Sequence, residues 1–200
     1  MPHVPDPLAA LRDATAPRHA MLDCGLPLAQ AGATLRDYRC HLLMLRAWLA
    51  PIDAWLVNFD DGPQGPNAPP ALDRLASIDA DLARCAGDPA PVPATPGAVW
   101  PPAADAGYRW GVCYVVEGSQ LGGAVLYRRL AAQLAPHPLD YLKGGAEGPG
   151  PRWRVFCEAL RAQLRGSAEI AAACAGAGAA FDRLLALRTV YREAGAALVW

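Results

Sequence analysis

Apolar residues recur at steps of three and four positions between residues 35 and 56, and this spacing constrains the fold more than any other feature. The residues that keep it are Leu35, Tyr38, Leu42, Leu45, Leu49, Ile52 and Leu56. Such steps place side chains on one face of an α-helix, so the segment is predicted to be an amphipathic helix. Pro51 is expected to bend it.

The composition agrees with helix rather than sheet. The 200 residues include 42 alanines and only three isoleucines, and hydrophobic residues make up 53% of the chain. Alanine is the best helix former, whereas β-branched residues favour strands. We therefore predict a single all-α domain of roughly six to eight helices, with enough apolar surface for a sizeable core.

The first helix is predicted to begin at Asp6-Pro7, an N-cap residue followed by proline at the first helical position. Pro17 lies inside this pattern. Proline removes a backbone donor, so the helix is expected to kink near residues 13–15 or to restart with Thr15 as its cap.

Further helices are predicted from apolar spacing and from the loops between them. Leu72, Leu75, Ile78 and Leu82 mark a short helix. A long apolar segment covers 105–134, and two more helices are expected at 152–164 and 168–187. Clusters of Gly, Pro and Asn predict loops at 60–70, 87–102 and 137–151.

Charge and cysteine usage exclude several classes of function. The net charge is −1 without basic clusters, which argues against nucleic-acid binding. We find no signal peptide and no run of about 18 uninterrupted apolar residues, so no membrane span is expected. The six cysteines never form a C-x-x-C pair, and we interpret them as small buried residues of a cytoplasmic protein.

His19 is the histidine best placed to bind a ligand. It shares a helix face with Leu8, Leu11 and Leu22, a face expected to turn toward the interior. This pattern is equally consistent with a histidine that binds a metal and with one that has only a structural role. Arg12 lies two turns earlier on nearly the same face, where it could meet a ligand carboxylate or simply border solvent.

A second unusual segment is Glu117-Gly118-Ser119-Gln120-Leu121-Gly122-Gly123, inside an otherwise helical run. Each glycine costs a helix about 1 kcal/mol relative to alanine, so three in six residues need a reason. Close approach of the backbone to a flat ligand, a flexible kink and tight helix packing all remain open. No Lys-Ser/Thr follows, so this is not a phosphate loop.

Together these segments resemble the heme oxygenase family. Residues 11–23, LRDATAPRHAMLD, resemble the opening L-R-x-x-T-x-x-x-H-x-x-L-E of that family. Residues 114–123, YVVEGSQLGG, resemble its distal-helix signature, in the version of the bacterial branch often associated with bacteriophytochromes. Residues 38–53 and 152–157 are also similar to that family, which supports the two motif matches. The resemblance implies one heme-oxygenase-like domain over 1–200, with its core at about 8–187.

The resemblance also implies a role for each matching residue. His19 becomes the proximal ligand of the iron of heme b. Asp23 stands where the family has a glutamate that helps to hold that imidazole. Gly118, Gly122 and Gly123 bring the distal backbone close to the macrocycle and leave room for O2, and Ser119 takes the place of the distal aspartate of the animal enzymes. Arg12 and Arg154, with Arg152 as a weaker alternative, match cations that bind the heme propionates.

The implied reaction is cleavage of heme at a meso carbon, which yields biliverdin, carbon monoxide and ferrous iron. Electrons would come from an external reductase or ferredoxin, because no flavin- or nicotinamide-binding motif is present. A bacteriophytochrome is a possible acceptor of the biliverdin. Two alternatives stay open: a heme carrier of the same fold without ring cleavage, and a protein that binds another flat small molecule, as thiaminase-like relatives do.

Overall fold

The computed structural model describes residues 5–24, 26–85, 93, 97 and 100–196, and these form seven α-helices without a β-strand. The helices are α1 (Pro7–Asp23), α2 (Leu35–Leu56), α3 (Arg74–Arg84), α4 (Ala106–Leu130), α5 (Asp140–Lys143), α6 (Gly150–Gln163) and α7 (Ser167–Ala196). Short 3₁₀ turns follow α1 at Pro27–Ala29 and α2 at Gly62–Gln64. The predicted all-α fold is confirmed.

Helix α1 begins where the sequence predicted but does not restart at Thr15. The Asp6 carboxylate accepts a hydrogen bond of 3.1 Å from the Ala9 N–H, and Pro7 occupies the first turn. The helix then continues through Pro17 to Asp23. Thr15 is not a cap, because its hydroxyl donates to the Leu11 carbonyl at 2.7 Å within the same helix. The predicted restart is therefore wrong.

Helix α2 spans the segment predicted from its apolar spacing. Thr34 and Asp37 form a reciprocal capping box at its start, which satisfies two backbone donors. Helix α3 begins at Arg74 and is capped by Asp73, so Leu72, predicted to lie in this helix, instead precedes it and is exposed.

Three other boundaries differ from the prediction. Helix α4 ends at Leu130, whereas the predicted segment runs to 134. The expected loop at 137–151 contains the short helix α5, and α6 already begins at Gly150. Helix α7 extends nine positions beyond the predicted end at Leu187. Most of the expected loop at 87–102 lies outside the described residues.

Helix α7 is the central element, and it packs against α1, α2 and α4. Its contact with α4 is close enough to require glycine. A Cβ atom at Gly111 would lie 1.8 Å from the Ala173 carbonyl oxygen, and one at Gly176 would lie 2.0 Å from the Tyr108 carbonyl oxygen. On the α2 side, the Trp48 indole N–H donates to the Ala180 carbonyl at 3.1 Å.

The part of α7 between Ser167 and Glu193 is long and apolar enough to cross a membrane by length and composition. Half of its most apolar window is buried inside the helical assembly. A core helix surrounded by other helices is expected to be apolar on most of its faces, so packing within the protein accounts for this composition.

All six cysteines are free. Cys85 and Cys157 are buried and Cys40, Cys113 and Cys174 are partly buried, in line with their interpretation as apolar residues. Cys24 is exposed at the end of α1, so the expectation of burial is wrong for this residue.

Candidate functional site

An open cleft of about 510 Å³ runs along α1. Its lining residues are Arg12, Asp13, Thr15, Ala16, His19, Ala20, Asp23 and Tyr114. All of them belong to α1 except Tyr114, which comes from α4. The volume is within the range of small-molecule and cofactor sites in proteins.

His19 and Asp23 lie one helical turn apart in this cleft. The Nδ1 atom of His19 is 3.0 Å from the Asp23 Oδ2 atom. An ionised carboxylate only accepts hydrogen bonds, so Nδ1 carries the hydrogen and the Nε2 lone pair is left for a ligand.

The His19 side chain faces the cleft rather than the core. It is 64% exposed, whereas Leu8 and Leu11 on the same predicted face are buried. The expectation that this whole face turns inward is therefore wrong at His19. On the protein side, the Phe181 ring of α7 lies 6.0 Å from the imidazole, measured between ring centroids.

The end of α1 is attached to α7 by two arginines. Arg18 forms two hydrogen bonds with the Asp182 carboxylate, at 2.7 and 2.9 Å. Arg188 donates to the carbonyl oxygens of Met21, Leu22 and Cys24. These are carbonyls of the kind that a helix end leaves without partners, so Arg188 acts as a side-chain cap.

Tyr114 forms the α4 side of the cleft. Burial raises the pKa of its phenol, and the positive charge of Arg12 on α1 partly opposes this effect. The Trp153 ring of α6 packs against Tyr114 with a centroid distance of 5.4 Å. Three helices therefore meet at this end of the cleft.

The glycine-rich segment continues along α4 from Tyr114. Positions 114, 118 and 122 are spaced by four residues and share one side of the helix. A Cβ atom at Gly118 would lie 3.7 Å from the Trp153 ring, and one at Gly123 would lie 3.6 Å from Leu142. At Gly122 it would meet nothing within 4 Å.

These distances bear on why the segment contains glycines. A separation of 3.6–3.7 Å is ordinary van der Waals contact, so alanine would fit at Gly118 and Gly123. Helix packing requires glycine at Gly111 and Gly176 instead. Tight packing therefore does not explain the 118–123 segment. The Ser119 hydroxyl donates to the Val116 carbonyl at 2.7 Å, inside the same helix.

The three candidate arginines lie in different surroundings. Arg12 borders the cleft, and Arg154 is exposed on α6. Within the described part of the chain neither guanidinium has an ion-pair partner. Arg152 differs, because it forms two hydrogen bonds with the Glu117 carboxylate, at 2.8 and 2.7 Å, and a third with the Pro70 carbonyl at 2.6 Å. All three nitrogen atoms of its guanidinium therefore already bind acceptors of the protein.

Sequence reasoning did not assign a role to Tyr114, Trp153, Glu117 or Arg188. Tyr114 and Glu117 lie within the glycine-rich motif, which was a signal for both. Trp153 and Arg188 reach the site only through the packing of α6 and α7, and no local pattern indicates that packing.

Comparisons with known proteins agree on one family. The family model described as heme oxygenase matches residues 6–187. A heme oxygenase from Xanthomonas campestris pv. campestris (strain 8004) is 37% identical over 146 residues, which cover 72% of this chain and 81% of that protein. The crystal structure of the NO- and CO-bound heme oxygenase from Neisseria meningitidis has the same fold, with a TM-score of 0.63 at 22% identity over 96% of this chain and 92% of that chain.

Proposed function

The chain belongs to the heme oxygenase family of heme-degrading oxidoreductases, and we propose that it cleaves heme at a meso carbon to give biliverdin, carbon monoxide and ferrous iron. The observation that carries this proposal is the orientation of His19. Asp23 holds its Nδ1 atom, so that Nε2 is available within the cleft.

The residues of the cleft, together with Arg154 on the surface of α6, fit heme b in chemical type. An imidazole nitrogen is a common axial ligand of heme iron, and His19 supplies one. Two arginines without ion-pair partners in the described residues, Arg12 and Arg154, suit the two propionate carboxylates, since guanidinium binds carboxylate through parallel hydrogen bonds. Arg152 is already bound to Glu117, so we assign the propionates to Arg12 and Arg154.

Heme supplies the redox chemistry of the reaction when it is bound, and the protein binds, orients and shields it. We propose that His19 holds the iron and that Asp23 fixes the plane of the imidazole. Gly118, Gly122 and Gly123 provide a distal wall without side chains, and Gly122 faces open space in which O2 can be accommodated. Ser119 can donate and accept hydrogen bonds on this wall but cannot ionise.

The proposed reaction needs partners outside this chain. We propose an external reductase or ferredoxin as the electron source, and a bacteriophytochrome as an acceptor of biliverdin. The heme-oxygenase-like domain is proposed to take in the whole chain, 1–200, and the protein to work in the cytoplasm without nucleic acid.

A hemin titration followed by reduction under oxygen tests the proposal. We expect saturable one-to-one binding, and then loss of the Soret band as biliverdin absorbance grows. Tight binding with a persistent Soret band would favour a heme carrier. His19→Ala is expected to abolish the histidine-ligated spectrum, and an unchanged spectrum would exclude His19 as the ligand.

A further inference from the structure

We propose that Glu117 is a positioning residue that fixes the start of the glycine-rich segment 118–123 through ion pairs with Arg74 and Arg152. We refer to these three residues as the Glu117 cluster. The position of the segment is a property of the heme-free chain, and only its consequence for bound heme rests on the proposed function.

The Glu117 cluster joins α4 to two other helices. Glu117 Oε2 lies 2.8 Å from Arg152 Nε, and Glu117 Oε1 lies 2.7 Å from Arg152 Nη2. Arg74 of α3 approaches from another direction, with its Nη2 atom 2.8 Å from Glu117 Oε2. Arg152 also binds the Pro70 carbonyl before α3. The carboxylate is therefore held by α3 and α6 together.

The cluster is shielded from water, which makes its ion pairs stronger than surface pairs. The exposed fractions of the side chains are 9% for Glu117, 10% for Arg74 and 20% for Arg152. Burial acts to raise the pKa of Glu117, but the hydrogen bonds from Arg152 and the charges of Arg152 and Arg74 outweigh it and hold that pKa below its usual range. The carboxylate is thus charged in the folded protein, and loss of its charge leaves two cations with reduced compensation.

The glycine-rich segment needs such an anchor because its own side chains hold it weakly. Gly118, Gly122 and Gly123 have no Cβ atoms, and glycine lowers the stability of a helix. Glu117 is the residue immediately before the first of these glycines. Its fixed carboxylate therefore sets the position from which the segment extends.

The same ion pair also places the aromatic neighbour of the segment. Trp153 follows Arg152 in α6, and its ring lies 3.7 Å from the Cβ position of Gly118. Attachment of Arg152 to Glu117 brings the first turn of α6 against α4 and so puts the indole over Gly118. The cluster thus controls both the backbone of the segment and the side chain that covers it.

The first test measures amide hydrogen exchange of the heme-free full-length chain by mass spectrometry. In Glu117→Gln we expect exchange in 118–123 to rise about tenfold, with little change in α1 or α7. The matched control is Asp79→Asn, which removes an exposed ion pair with Arg46 between α3 and α2. It is expected to leave 118–123 unchanged.

A second variant covers the case in which Glu117→Gln does not fold. Arg152→Lys keeps the positive charge but loses the paired hydrogen bonds to Glu117, so it is expected to give a smaller rise confined to 118–123 and the start of α6. An equal rise across all helices, in either variant, would show a general stabilising role and overturn the proposal. Unchanged exchange in 118–123 would overturn it as well.

The second test asks whether the segment reaches bound heme. The infrared C–O stretch of the carbon monoxide complex reports on the distal surroundings, and we expect it to broaden or split in Glu117→Gln while hemin affinity stays within about threefold of that of the parent chain. An unchanged band would overturn the consequence for heme. If the parent chain binds no hemin, the proposed function fails, whereas the exchange result still decides whether Glu117 positions the segment.

Discussion

The Asp23 carboxylate accepts a hydrogen bond from the His19 imidazole across one turn of α1, with 3.0 Å between Oδ2 and Nδ1. Both side chains are about two-thirds exposed, at 64% for His19 and 68% for Asp23. Water screens an ion pair at such a site, so the contact adds little to the stability of the fold. Its effect is to fix the tautomer and the ring plane of His19.

Replacement of Asp23 should therefore affect heme rather than folding. We expect Asp23→Ala to weaken hemin binding about tenfold and to lower the iron–histidine stretching frequency, because outer partners of metal ligands commonly contribute this much to affinity. Hemin titration and resonance Raman spectroscopy measure the two effects. Asp23→Glu keeps the carboxylate and serves as the control, with a smaller loss. A large decrease in thermal stability in either variant would contradict the assignment of an orienting role.

The sequence predicted the helices well because their signals are local. Apolar spacing predicted α2 from Leu35 to Leu56, and the Asp6-Pro7 pair predicted the start of α1. The predicted restart at Thr15 was wrong because the helix is continuous there, and the Thr15 hydroxyl donates to the Leu11 carbonyl of the preceding turn. Leu72 was misassigned because apolar spacing cannot distinguish a helical residue from an exposed one just before the Asp73 cap.

Only part of the site could be predicted in the same way. His19 and Arg12 lie in one short motif, and the structure brings both to the cleft. The partner of Arg152 could not be found from the sequence, because Glu117 is 35 positions away and the third member, Arg74, is 43 positions from Glu117. Contacts between helices that are distant in the chain follow from packing, and periodicity within one helix carries no information about them.

Gly111 and Gly122 should respond to alanine in opposite ways. At Gly111 the new methyl group would meet the Ala173 backbone, so α4 and α7 must separate, and we expect a loss of about 3 kcal/mol in the free energy of unfolding. At Gly122 there is open space, and we expect a gain of up to about 1 kcal/mol from the better helix former. Denaturant unfolding of both variants measures this. Equal effects at the two positions would contradict the close α4–α7 contact.

A larger side chain at Gly122 tests its proposed place on the distal wall. Gly122→Leu is expected to fold, because nothing within 4 Å of the Cβ position obstructs it. We expect the leucine to reduce O2 binding and biliverdin formation more than hemin uptake, since it fills space proposed for O2 and leaves His19 unchanged. Separate measurements of hemin affinity and turnover make the comparison. An equal loss of both would mean that the leucine obstructs heme itself, and it would contradict a specific role of Gly122 in accommodating O2.

Arg188 should stabilise the end of α1 that carries His19. Its Nη1 atom, which carries two hydrogens, is shared among three carbonyls there, and a hydrogen bond from a charged group contributes about 1.5–3 kcal/mol. We expect Arg188→Gln to lower the free energy of unfolding by about 2 kcal/mol and to raise amide exchange at the end of α1. Hemin affinity should fall as well. Arg192→Gln, at an exposed position one turn later, is the control. Unchanged exchange in α1 would contradict the capping role.

His41 on α2 lies in a setting that opposes its protonated form. Its side chain is partly buried, and its Nδ1 atom is shielded from water without a hydrogen-bond partner in the described residues. Burial lowers the pKa of His41 to about 4, from an ordinary value of 6.5. The unfolded chain therefore binds a proton at His41 between these two values, whereas the folded chain does not.

Stability should accordingly fall as pH decreases from 6.5 toward 4. Each pKa unit corresponds to about 1.4 kcal/mol, so we expect the unfolding free energy to be about 2 kcal/mol lower at pH 5 than at pH 7.5. Urea unfolding at the two pH values measures the difference. In His41→Leu, which keeps an apolar side chain of similar size, most of this dependence should disappear. A dependence that survives in His41→Leu would place the responsible proton on another group.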